Sequence, residues 1–198
     1  MHKVLWLLLL VVVGCAKPPA ELRDLGEVPA FALTDQRNQP FGSKDLLGKV
    51  WVANFLFTSC PTACPPLAHA TSLLQGHLKE AGVGQIVTVS VDPMTDTPEV
   101  LTNFGKKYNA DFAIWHFLTG DYDAMEKLVV EGFFQPLQRT DKQPGSKSPE
   151  APTPLDTAHS VRFVLIDQRG HMRGLFDKDE ASLRRLADSV VWLTRYGP

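Results

Sequence analysis

Apolar and polar positions alternate between two periods along this chain, and that alternation predicts its fold. Val50 to Phe57 is a strongly apolar run of eight residues, the pattern of a central strand buried on both faces. Ile86 to Val91 and the shorter Trp115 to Leu118 repeat it. Between the first two runs the period changes. Leu67, Ala70, Leu74, Leu78 and Ala81 recur at three- and four-residue steps, as one buried helical face requires. This helix is expected from about Cys64 to about Glu80, stopped by Gly82 and Gly84. A second helix opens at Pro98 and reaches roughly Tyr108, and Asp121 is placed to N-cap a third through about Val130. Phe31 to Asp35, the polar Gln36 to Asn38 and Gln39, then Pro40-Phe41, read as a hairpin of short strands. Near the end come a strand from Val161 to Asp167, a turn at Gln168-Arg169-Gly170, and a partner from His171 to Phe176. An amphipathic helix from Ala181 to Leu193 closes the chain. Strands alternating with helices argue an α/β fold, a central mixed sheet covered on both faces. Pro136 to Pro154 holds five prolines among Gly, Ser and Lys and is expected to be an inserted flexible loop.

The first residues follow a different logic. Met1-His2-Lys3 is a short positive start, and Val4 to Val13 is wholly apolar. Ten such residues cover about 15 Å as a helix, half of a bilayer core, so they read as an export signal rather than a span. Val12-Val13-Gly14-Cys15 resembles the lipobox of bacterial lipoproteins, which implies cleavage before Cys15 and a diacylglyceryl group on its sulfur. Two acyl chains anchor stably. The expected organisation is a signal at 1–14, a lipidated tether at 15–28 and one domain at 29–198. The location expected is the cell envelope, on the outer side of the cytoplasmic membrane or facing the periplasm.

A net charge of −2 with no basic stripe gives nucleic acid nothing to bind. With Cys15 lipidated, Cys60 and Cys64 are the remaining thiols, and one close pair in an exported domain forms a disulfide, binds a metal, or cycles between the two. Cys60 lies three residues past the strand ending at Phe57, where open α/β sheets gather their sites. Cys64 opens the helix, and the four-residue spacing puts both sulfurs on one side of its first turn. Free N–H groups and the positive end of the helix dipole favour thiolate there. Pro61 and Pro65 suit such an entry. Two thiolates are a soft ligand set, suited to Cu(I) or Zn, and structural zinc would want four protein ligands. A structural disulfide is the plain alternative, though so short a loop gains little from closure.

Of six histidines, His2 leaves with the signal. His69 points about 140° away from Cys64 on the helix, and His77 lies about 20 Å along it. His116, between Trp115 and Phe117, is expected to pack. A seven-residue strand spans about 23 Å, so His159 and His171, at its two ends, cannot both approach the cysteines. His159 follows the polar Asp156-Thr157-Ala158 and lies on a loop, which makes it a candidate without deciding the matter.

Several segments, in order, resemble the Sco/SenC family of thioredoxin-like copper proteins. They are Gly48-Lys49-Val50, Asn54 through Pro65 with Thr58-Ser59-Cys60-Pro61-Thr62-Ala63-Cys64, Ser90-Val91-Asp92-Pro93 with Asp96-Thr97-Pro98, Trp115 with Leu118-Thr119-Gly120, and His159-Ser160 ahead of Phe163 to Asp167. The resemblance implies a thioredoxin-like fold with the histidine loop beside the cysteine loop. It implies copper, as Cu(I), Cu(II) or both, held by Cys60, Cys64 and His159. It also implies a metallochaperone assisting the binuclear copper centre of cytochrome c oxidase, with subunit II or another copper-accepting protein as partner. A thiol-disulfide oxidoreductase using Cys60 and Cys64 as a redox-active pair is the alternative. Asp92 and Asp96 match family positions and lie beyond the carboxyl end of another strand, so they are expected to border the site; the plain alternative is capping of the helix opening at Pro98 by Asp96 or Thr97, and capping is favoured for Asp96. Met94 is a candidate soft outer ligand, although packing or chance is the default for a loop methionine. The chain departs from the family at Thr62-Ala63, where many members carry an acidic residue, at the extra Pro66, and in its lipid anchor.

Overall fold

The computed structural model describes residues 17–135, 137 and 162–197. Seven strands form one sheet: β1 (Ala32–Asp35), β2 (Pro40–Gly42), β3 (Trp51–Leu56), β4 (Gln85–Ser90), β5 (Trp115–Thr119), β6 (Phe163–Ile166) and β7 (Met172–Phe176). Their spatial order is β2-β1-β5-β4-β3-β6-β7. The three middle strands are parallel, and each end is an antiparallel hairpin. Parallel neighbours need a crossover, and helices α2 (Cys64–Ala81) and α3 (Pro98–Lys107) supply the two. The short α1 (Ser43–Leu46) precedes β3, α4 (Tyr122–Glu126) follows β5, and α5 (Glu180–Tyr196) ends the described chain.

Strand β3 is buried throughout, and its alternating side chains supply two cores. Val52 and Leu56 pack beneath α2 and α5 with Leu67, Leu74, Leu78, Leu186 and Val190. Trp51, Ala53 and Phe55 face the other way, onto Leu46, Met125, Leu128 and Val129. Asn54, at the centre of β3, points to the α2 side and donates to the Thr71 hydroxyl at 3.0 Å. The expected helical face of α2 is buried at Leu67, Ala70, Leu74 and Leu78, while Ala81, on its last turn, is exposed. Asp121 caps α4 as expected, its carboxylate accepting from Ala124 N–H at 3.2 Å. Beyond Glu126 the helix widens into a π turn, Lys127–Gly132, which apolar periodicity does not announce.

The stretch expected as tether is not wholly free of the domain. Arg23 and Leu25 N–H donate to Arg173 and Met172 carbonyls along β7, Val28 N–H donates to Gly170, and Met172 N–H returns a bond to Gly26. This segment covers the open edge of β7. Cys15, the signal at 1–14, His159 and the 138–154 part of the Pro-rich loop lie outside the described residues. No described helix is long and apolar enough to cross a membrane.

Candidate metal and redox site

Helix α2 begins at Cys64, with Ala63 as a cap residue that contributes no side-chain bond. The first N–H groups of a helix have no partner within it. Pro65 and Pro66 remove two of these donors by having no N–H. The Cys64 N–H remains, and it donates to the Cys60 sulfur at 3.4 Å. Cys60 is itself held by its N–H, which donates to the Phe57 carbonyl at 3.3 Å. A helix entrance depleted of ordinary caps thus turns its remaining donor onto sulfur.

Both cysteines are free thiols and both are buried, yet their acidities diverge. Burial pushes the Cys60 thiol up, but the Cys64 thiol and the N–H groups of Thr62, Cys64 and Ala63 all donate to it. Together they bring it below the ordinary thiol value. Burial pushes Cys64 up to about 12, reinforced by its role as donor to Cys60 and by the negative charges of Cys60 and Asp96. Cys60 is thus the more acidic of the two sulfurs, and Cys64 is held as thiol.

Asp96 corrects the sequence expectation. Thr97, not Asp96, caps α3, its hydroxyl accepting from Val100 N–H at 3.3 Å. Asp96 is fully buried and turns instead to the cysteine loop. Thr58 gives it both its hydroxyl, at 2.6 Å, and its N–H, at 3.2 Å. The Ser90 hydroxyl donates at 2.7 Å. Burial raises the Asp96 carboxyl above its usual range, against the lowering effect of these donors. Asp92 is also buried, in the turn after β4. Spacing alone concealed this role: a polar residue closing each of two apolar strands, Thr58 and Ser90, was the available signal. Met94 is 66% exposed.

The remaining histidines lie where the sequence put them. His69 is exposed and His77 half-buried on α2. His116 is buried at the opposite end of the sheet, against Phe41 and within 3.1 Å of Gln85 Oε1. His171 pairs with Asp24 at 3.2 Å beside the β7 edge. Among the described residues no three metal-binding side chains converge. What the structure brings together is the pair of soft sulfur donors at a helix entrance, a donor set that fits copper and not a hard cation.

The SCO1/SenC family profile matches residues 20–195. This chain belongs to the SCO1/SenC family. The SCO1 protein homolog of Bacillus subtilis is 38% identical over 110 residues, an alignment covering 54% of this chain and 56% of that protein. A crystal structure of a SCO1/SenC family lipoprotein from Bacillus anthracis is 31% identical, with TM-score 0.69, over 88% of this chain and 96% of that one. BsSco, a Sco family cytochrome c oxidase assembly protein in which a disulfide switch was identified, is 26% identical. Its TM-score is 0.69, over 91% of this chain and 98% of that one. Bradyrhizobium japonicum ScoI, solved with copper bound, shares the fold at 24% identity and TM-score 0.64, over 86% and 99% of the two chains. The thioredoxin-like architecture is therefore that of the family.

Proposed function

We propose that this SCO1/SenC protein is an envelope-anchored metallochaperone that carries copper to the binuclear centre of cytochrome c oxidase. Cys60 and Cys64 hold the metal with His159, Cys15 carries the lipid, and subunit II or a similar copper-accepting protein receives the cargo. The observation that carries this reading is the pair of free sulfurs at the α2 entrance, one of them already engaged by a helix N–H. Two sulfurs plus an imidazole make a three-coordinate soft site, which suits Cu(I) and leaves room for an incoming ligand. The B. anthracis lipoprotein and the copper-loaded ScoI support the anchor and the cargo.

The test is copper stoichiometry on the reduced full-length chain in detergent. One copper per chain is expected, with Cys60→Ala or Cys64→Ala each weakening binding by at least about a hundredfold, as loss of a charged ligand implies. His159→Ala is expected to weaken it comparably. Unchanged affinity in that variant removes His159 from the site.

A second reading has its own observation. Split acidity across a close dithiol suits thiol-disulfide exchange: Cys60 attacks a client disulfide as thiolate, and Cys64 resolves the mixed disulfide. A reducible Cys60–Cys64 disulfide that turns over on oxidised acceptor, with Cys64→Ala trapping the mixed species, supports this role. A trap that never forms counts against it.

A further inference from the structure

The buried carboxylate under the cysteine loop serves none of the roles described above, and its surroundings are unusual. Asp96 is fully buried, and among the described residues no ammonium or guanidinium pairs with it. A buried charge is normally paired or neutralised. Here it is solvated by the Thr58 N–H, the Thr58 hydroxyl and the Ser90 hydroxyl. The N–H can only donate, so these bonds favour the ionised form and oppose burial, which raises the carboxyl. These bonds clasp two segments that are distant in sequence: the exit of β3 into the cysteine loop, and the connection from the end of β4 to α3.

We propose that Asp96 is a positioning residue that fixes the start of the cysteine loop and whose buried negative charge limits how tightly the sulfur pair retains a soft monovalent cation. This rests on the copper reading above. Two thiolates around one Cu(I) carry a net negative charge, and Asp96 stands against it in a low-dielectric interior. The carboxylate accepts from Thr58, two residues before Cys60, so its charge lies at the root of the loop that carries the sulfur pair. Removing that charge therefore tightens retention, whereas a group with only a structural part would loosen it. The two roles predict opposite signs.

Asparagine separates them with little disturbance. Its Oδ1 accepts from Thr58, and its Nδ2 donates to Ser90, whose hydroxyl is free to turn and already accepts from Asp92 N–H at 3.0 Å. The experiment is competition for Cu(I) with a chromophoric chelator, using reduced full-length chain in detergent. Asp96→Asn is expected to bind Cu(I) about tenfold more tightly and to release it to excess chelator about tenfold more slowly, the order expected on removing one nearby like charge. Thr58→Val, which loosens the clasp and keeps the charge, is expected to bind no more tightly than wild type. Asp96→Ser, smaller and neutral, asks the same question if the asparagine chain does not fold. Affinity at or below wild type in the folded neutral variant overturns the inference, as does tighter binding in Thr58→Val. A wild-type chain that takes up no Cu(I) overturns the copper reading together with the inference, so the wild-type titration distinguishes the two failures.

Discussion

The two ends of the central sheet bury ionisable groups to nearly the same depth and obtain opposite chemistry. At the carboxyl end of β3, Cys60 and Cys64 are 9% and 6% exposed; at the amino end of β4 and β5, His116 is 7% exposed. Burial alone would disfavour the charged form of all three. It does so for His116, whose pKa falls to about 4, with the nearby Arg37 charge adding to the effect. It does so for Cys64 as well. Cys60 escapes because the Cys64 thiol and three N–H groups at a helix entrance donate to its sulfur, a resource the strand environment of His116 lacks. Depth of burial does not make a reactive group. Burial beside unspent backbone donors does.

The largest effect that tests this comparison is the reactivity split. Alkylation of the reduced chain at pH 8 should label Cys60 at least about a hundred times faster than Cys64, read by mass spectrometry of the two peptides. The Cys60 rate should titrate with a midpoint below the ordinary thiol value, and Cys64 only toward 12. Equal rates at the two sites would erase the distinction drawn between the sulfurs.

The second test concerns the other end. His116 has its pKa lowered on folding, from 6.5 to about 4, so between those values the unfolded chain binds a proton that the native chain refuses. Stability then rises with pH across that window, and about 3 kcal/mol is lost as pH falls from about 6.5 to about 4. His116→Leu should flatten this segment of the stability curve while leaving copper binding unchanged, as urea melts from pH 4 to 7 will show. A variant curve as steep as wild type places the titration elsewhere.

The smallest effect separates neighbours. Thr97→Ala removes the α3 cap and should cost about 1 kcal/mol in thermal unfolding, with Cu(I) affinity unaltered. Asp96, one residue earlier, should move affinity instead. If Thr97→Ala shifts copper binding as much as stability, capping and site tuning are not separable here.

Local pattern carried much of the fold. The buried strands, the crossover helices, the Asp121 cap and the setting aside of His69, His77 and His116 follow from periodicity and spacing, which each segment holds within itself. The place of Asp96 beside the site was legible, but its bonds to Thr58 and Ser90, like those of residues 23–28, were not, because they depend on partners supplied by closure of the chain. Thr58 and Asp96 are 38 positions apart, and nothing in either neighbourhood names the other. Of the two candidates for the cap ahead of Pro98, Thr97 took it.

By itself, then, the sequence determined where strands and helices run, which cysteines stand together, and which family the chain resembles. Apolar period and residue spacing are properties of contiguous side chains, and the backbone must honour them. Only the tertiary structure decided how acidic each sulfur is, which carboxylate lies beneath them, and which edge the N-terminal segment covers. Those outcomes depend on desolvation and on hydrogen bonds between segments that meet only when the sheet has formed.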